Sequence, residues 1–153
     1  MRALADYLFV FALTLWVGAL WVVGYLVAPT LFAVIEDRAL AGEVAGRLFA
    51  SVGWMGLACG AYLLLHMAFR QGWEAFRNWV FWLIVLMLVA GLAILFGIQP
   101  LMAQLKAQAW PREVMDSALR EPFATWHGVS SVLYLLQSLA GLLLLRAPRR
   151  VLG

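Results

Sequence analysis

Charge is scarce in this chain. Asp, Glu, Lys and Arg together supply 12% of its 153 residues. A soluble domain ordinarily carries about 25%, so a water-facing surface cannot be assembled from what is present. The net charge is +3 and the pI is near 9.5. Yet the basic residues are scattered at the ends of apolar runs and form no stripe, which excludes nucleic acid as a partner. Cysteine is reduced to Cys59, so no internal disulfide is available. Inside an apolar run that thiol reads as a small packing residue. Catalytic signatures are missing as well: there is no HExxH, GxSxG, Walker loop or CxxC, and no pair of acids lies in the middle of an apolar run. We therefore expect no enzymatic activity, no catalytic residue and no cofactor.

What the chain has in quantity is apolar length. Residues of the apolar types make up 65% of it, and the mean hydropathy is +0.91. Four segments, at about 7–27, 43–69, 76–97 and 122–145, reach the roughly 20 residues needed to cross a hydrocarbon core of about 30 Å. The first is longer than the roughly 7–15 apolar residues of a signal peptide and reads as a retained helix. These features predict an all-α membrane protein: a single domain over 1–153, built as a four-transmembrane-helix bundle. A short interfacial helical segment, or an extension of segment three, is expected over 101–120, divided near Trp110-Pro111. Apolar character continues past Pro29 to Ile35, which predicts a kink at Pro29 rather than a stop. Pro122 suits the first turn of segment four.

The segments differ. Segment two is rich in small residues: Gly42 and Gly46 form one GxxxG and Gly56 and Gly60 another, while Gly46, Gly53 and Gly60 recur every seventh position. Small residues allow helix backbones to approach closely where lipid provides no drive for apolar association, so segment two is expected to be the central packing helix. Segment three is apolar all round and is expected to face lipid most. Segment four carries a polar stripe of His127, Ser130, Ser131, Tyr134, Gln137 and Ser138, which fall within about 120° of one another at helical spacing. Segment two has a sparser one in Arg47, Ser51, Trp54, Tyr62 and His66.

Polar groups inside membrane helices point to function more often than other features do. The candidate polar site is therefore Arg47, Ser51, His127, Ser130, Ser131, Tyr134 and Gln137. Two readings of it differ in kind. In one, these residues are hydrogen-bonding glue between helices, each contact worth about 0.6–2 kcal/mol. In the other, the stripes of segments two and four face each other and form a seam that passes a small ligand, ion or proton. Arg47 is expected either to snorkel to the interface with Glu43 at i−4 or to be clamped by Glu36 and Asp37. His66 and His127 raise a third possibility, copper or haem handling. They lie near opposite ends of the segments, roughly 20 Å apart along the membrane normal, too far to share one metal.

Four crossings put both termini on one side. That side carries Arg2, Arg70, Arg77, Arg146, Arg149 and Arg150; the other carries Arg38, Arg47, Lys106, Arg112 and Arg120. The short basic 70–77 connection and the arginines at the end of segment four predict that both termini are cytoplasmic in a bacterial inner membrane. The bilayer is the obligate partner, with a homo-oligomer or another membrane protein as the further candidates.

Several local patterns are shared with a known family. They are Trp16-Val17-Gly18, Ala28-Pro29-Thr30-Leu31-Phe32, the run Ala41-Gly42-Glu43-Val44-Ala45-Gly46-Arg47-Leu48-Phe49, and Phe123-Ala124-Thr125-Trp126-His127-Gly128-Val129-Ser130. Together they resemble the transmembrane protein 205-like family. The resemblance implies a four-helix membrane bundle and carries no activity with it. The His127-Gly128-x-Ser130 start of segment four is also similar to copper-resistance D-type membrane proteins, without their further intramembrane histidines.

Overall fold

The computed structural model describes residues 2–110 and 113–152, with Arg149 and Arg150 given by backbone alone. Pro111 and Arg112, where the interfacial segment was expected to divide, lie outside the described residues. Every described element is helical, and four helices are long and apolar enough to cross a membrane. They are α1 (Arg2–Val34), α2 (Arg38–Gln71, continued by a 3-10 turn over Gly72–Arg77), α3 (Trp79–Ala109) and α4 (Arg120–Leu144); α5 (Ala147–Val151) is a short terminal helix.

Local chemistry sets the boundaries. Asp37 caps α2, its Oδ1 accepting from the Ala39 and Leu40 N–H groups at 2.9 and 3.0 Å. Gly72, at φ +53°, turns the chain at the far end of α2. Asn78 caps α3 through Val80 N–H at 3.1 Å, which is why the apolar run that begins at Phe76 becomes α-helix only from Trp79. Pro122 falls in the first turn of α4, where its missing N–H leaves no bond unmade.

Both interior prolines are absorbed in the same way. A π-helical stretch, Val23–Val27, precedes Pro29, and another, Ala93–Ile98, precedes Pro100. In each, the residue just before the proline donates five residues back: Ala28 to Val23 O and Gln99 to Ile94 O. The wider turn makes room for a ring that would otherwise press on the carbonyl four residues earlier. The helix therefore continues through Pro29, as expected, and α3 continues to Ala109. The helical segment anticipated between the third and fourth spans is this extension of α3, followed by a 3-10 turn at Val114–Asp116.

The helices close a ring: α1 packs on α2, α2 on α3, α3 on α4, and α4 returns to α1. Phe9, Leu13, Trp16 and Leu20 of α1 meet Leu63 and Met67 of α2, Ile84 and Met87 of α3 and Leu144 of α4 in the core. Trp16 is seated on the glycine pair of α2. A Cβ at Gly56 would stand 2.5 Å from Trp16 Nε1, and one at Gly60 would stand 2.5 Å from Leu88 Cδ2. The seven-residue glycine series is only partly used. Gly53 brings Leu95 to ordinary contact and Gly42 sits loosely against Phe32, but nothing lies within 4 Å of where a Cβ at Gly46 would be. Gly46 is therefore not a packing residue.

From its uniform apolarity α3 is expected to be the lipid-facing helix, and here the structure corrects the expectation. Val80, Ile84, Met87, Gly91, Leu95 and Ile98 are buried, and α4 has the smallest buried share of its apolar window, 22% against 28% for each of the others. A helix that is apolar all round gives no stripe to say which side is covered, and a ring gives every helix two neighbours.

Candidate functional site

The polar stripe of α4 divides at Tyr134. At and beyond it the stripe is locked into the bundle. Tyr134 donates its hydroxyl to Leu20 O at 2.6 Å, and Gln137 Nε2 donates to Met87 O at 2.9 Å. Ser138 O receives Trp21 Nε1 at 3.2 Å, while its hydroxyl returns to Tyr134 O. One helix is thus bonded to α1 and α3 through backbone carbonyls. Tyr134 also meets Tyr25 of α1 and, edge-on at 5.0 Å, Phe49 of α2.

Towards the start of α4 the same face is uncovered. His127 and Ser131 are exposed and Ser130 is half-buried. Both serine hydroxyls bond to the His127 carbonyl of their own helix, at 2.9 and 2.8 Å, and the His127 ring stacks on Phe123. Phe123 in turn lies under Lys106 of the α3 extension.

The α2 half of the candidate site does not join it. Arg47 is exposed and paired with Glu43 at 2.6 Å, an i,i+4 surface contact. Asp37 is occupied in capping, and neither it nor Glu36 pairs with Arg47 among the described residues. Ser51 is exposed and bonds to Arg47 O, and Trp54 is exposed against Phe96. The stripes of α2 and α4 do not meet as a seam: the two helices lie diagonally in the ring and touch where Phe49 meets Tyr134. Among the described residues Arg47 is partnered by Glu43 and His127 by Phe123.

A second cluster lies at the opposite end, where α1 begins and α2 ends. Tyr62, His66 and Arg70 follow one another at i, i+4 and i+8 on α2 and face Asp6 of α1. His66 is buried between Phe9, at 5.0 Å between ring centroids, and Tyr62. Its Nε2 stands 3.4 Å from Asp6 Oδ1, and Arg70 Nη1 reaches the two Asp6 oxygens at 3.3 and 3.4 Å. Tyr62 donates to Ala5 O at 3.0 Å. Both Asp6 Oδ1 and His66 Nε2 are buried without a hydrogen bond among the described residues. The cluster straps α1 to α2 and borders an open crevice of about 460 Å³. From sequence, Tyr62 and His66 read as part of a stripe, while Arg70 and Asp6 read only as charges at helix ends. The i, i+4, i+8 spacing was the signal that places Arg70 with Tyr62 and His66; nothing in it points to Asp6. Among the described residues no three His, Cys, Asp or Glu side chains converge.

A family model described as a domain of unknown function, DUF4149, matches residues 11–111. That is about two thirds of the chain. The chain belongs to the DUF4149 family. No curated protein and no solved structure matches it. The matched stretch of this DUF4149 protein runs from within α1 to just past the end of α3; it includes His66 and Arg70 and leaves out Asp6 at one end and α4 at the other.

Proposed function

We propose that this DUF4149 protein is a non-catalytic accessory protein of the bacterial cytoplasmic membrane, one that works by receiving a transmembrane helix of another membrane protein against the first half of α4. The observation that carries this reading is the division at Tyr134. A single polar face is bonded to neighbouring helices on one side of that residue and lies bare on the other. His127 is about 10 Å along the axis from Arg120, and an uncovered imidazole at that depth is costly in lipid. Beside it, Ala124, Gly128 and Ser131 are exposed at i, i+4 and i+7, and nothing lies within 4 Å of a Cβ built at Gly128. Small residues in that spacing admit a second helix backbone at close range. The motifs shared with transmembrane protein 205-like sequences support kinship with that family as well.

A photo-crosslinking residue placed at Ser131 tests the reading, with Val89, exposed on α3, as the comparison. Position 131 is expected to give a discrete protein adduct, at twice the chain mass if the partner is a second copy, and Gly128→Ile is expected to abolish it. Lipid adducts alone at both positions would overturn the proposal.

A further inference from the structure

The crevice at the start of α1 and the end of α2 has the composition of an anion site. Arg2 and Arg70 stand at its rim, with His66 and Tyr62 behind them and Leu65 and Phe69 forming an apolar wall. Its volume of about 460 Å³ falls within the roughly 300–1,000 Å³ of small-ligand clefts. Arg2 has no ion pair among the described residues. Arg70 engages Asp6 through Nη1 alone, so the rest of its planar fork is free for a second, bidentate acceptor. Two arginines against one aspartate leave the crevice a net positive charge.

The buried contact behind the rim is incomplete in a way that an anion would resolve. Asp6 Oδ1 is divided between Arg70 Nη1 at 3.3 Å and His66 Nε2 at 3.4 Å and makes a good hydrogen bond to neither. An anion that takes up Arg70 leaves Asp6 to close the remaining distance to His66. The wall is equally telling. Phe69 is 88% exposed and Leu65 56% exposed, so each presents a large apolar surface beside a pair of guanidiniums. That pairing, at the level where one membrane helix starts and the next ends, suits a molecule with a charged head and an apolar tail.

We propose that this crevice binds the phosphate of an anionic phospholipid headgroup, held by Arg2 and Arg70, with its acyl chain lying along Leu65 and Phe69. The site is at the other end of the bundle from the His127 face, so the two readings stand or fall separately.

Native mass spectrometry of the full chain, released from nanodiscs of phosphatidylglycerol or of phosphatidylcholine with the same acyl chains, reads the binding directly. The wild type is expected to retain phosphatidylglycerol over phosphatidylcholine. Arg2→Gln, at an exposed first-turn position, is expected to lower that retention about fivefold, the effect of one basic group near a membrane surface. Arg77→Gln, at the same end but paired with Glu74 outside this crevice, is expected to leave it unchanged. Equal retention of the two lipids, or no effect of Arg2→Gln, would overturn the proposal. Displacement of the lipid by low-millimolar glycerol phosphate would assign the phosphate to a soluble source and overturn the lipid assignment.

Discussion

Tyr134 decides more than any other residue in this bundle, because α1, α2 and α4 all meet on it. Its hydroxyl bond to Leu20 O and the Gln137 bond to Met87 O join helices that gain nothing from apolar association in lipid. We expect Tyr134→Phe and Gln137→Leu each to destabilise the folded bundle by about 0.6–2 kcal/mol, measured by reversible unfolding in mixed micelles. Ser131→Ala, whose hydroxyl only returns to its own helix, should change stability by less than about 0.5 kcal/mol. Equal losses at all three positions would contradict this division. The polar stripe was legible in the sequence, since helical spacing alone places its residues on one face. Which half is covered was not legible, because that depends on where α1 lies relative to α4, and no periodicity within α4 contains that information. Asp6 and Arg70 were obscured for a related reason: charges near the ends of apolar runs look like membrane boundaries, and only the packing of α1 on α2 brings them together behind His66.

Among the elements, α2 illustrates how a motif and its use diverge. GxxxG pairs and a seven-residue glycine series are equally visible along it, yet only Gly56 and Gly60 have a neighbour within overlapping distance. Gly56→Leu is expected to cost about 1–3 kcal/mol through overpacking against Trp16, whereas Gly46→Leu, facing open space, should be neutral or slightly favourable to the helix. Thermal unfolding of the two variants side by side checks this, and a larger loss at Gly46 would sink it. At the head of the same helix, Asp37→Ala removes a cap worth about 1 kcal/mol. Its expected signature is faster hydrogen exchange at the Ala39 and Leu40 amides, with the membrane-spanning turns unaffected. The wide turn before Pro29 could be placed from sequence only as a kink, and the one before Pro100 not at all. A proline marks where a helix must adjust, but the choice between stopping, bending and widening depends on what the residues beyond it pack against.

For the whole molecule, the count and order of spans followed directly from apolar length, whereas the ring arrangement and the burial of α3 came only with the coordinates. Orientation is open to a direct check. In a Cys59→Ala background, which removes the buried native thiol, a cysteine at Trp73 should react with an impermeant maleimide only in inverted vesicles. One at Met115 should react in intact cells. Reversal of that pattern would overturn the proposed orientation, and labelling of both from one side would contradict four crossings. The lengths carry a further consequence. α1 has 33 residues and α4 has 25, about 50 Å and about 37 Å at 1.5 Å per residue, against a hydrocarbon core of about 30 Å. The solvated Glu43–Arg47 pair and Lys106 put the surplus at the end away from the termini. A bilayer holding this protein therefore has relief on one face: a stub formed by the ends of α1, α2 and α3 rises past the headgroups, above the level of His127. An antibody or a soluble protein can grip that stub without touching lipid.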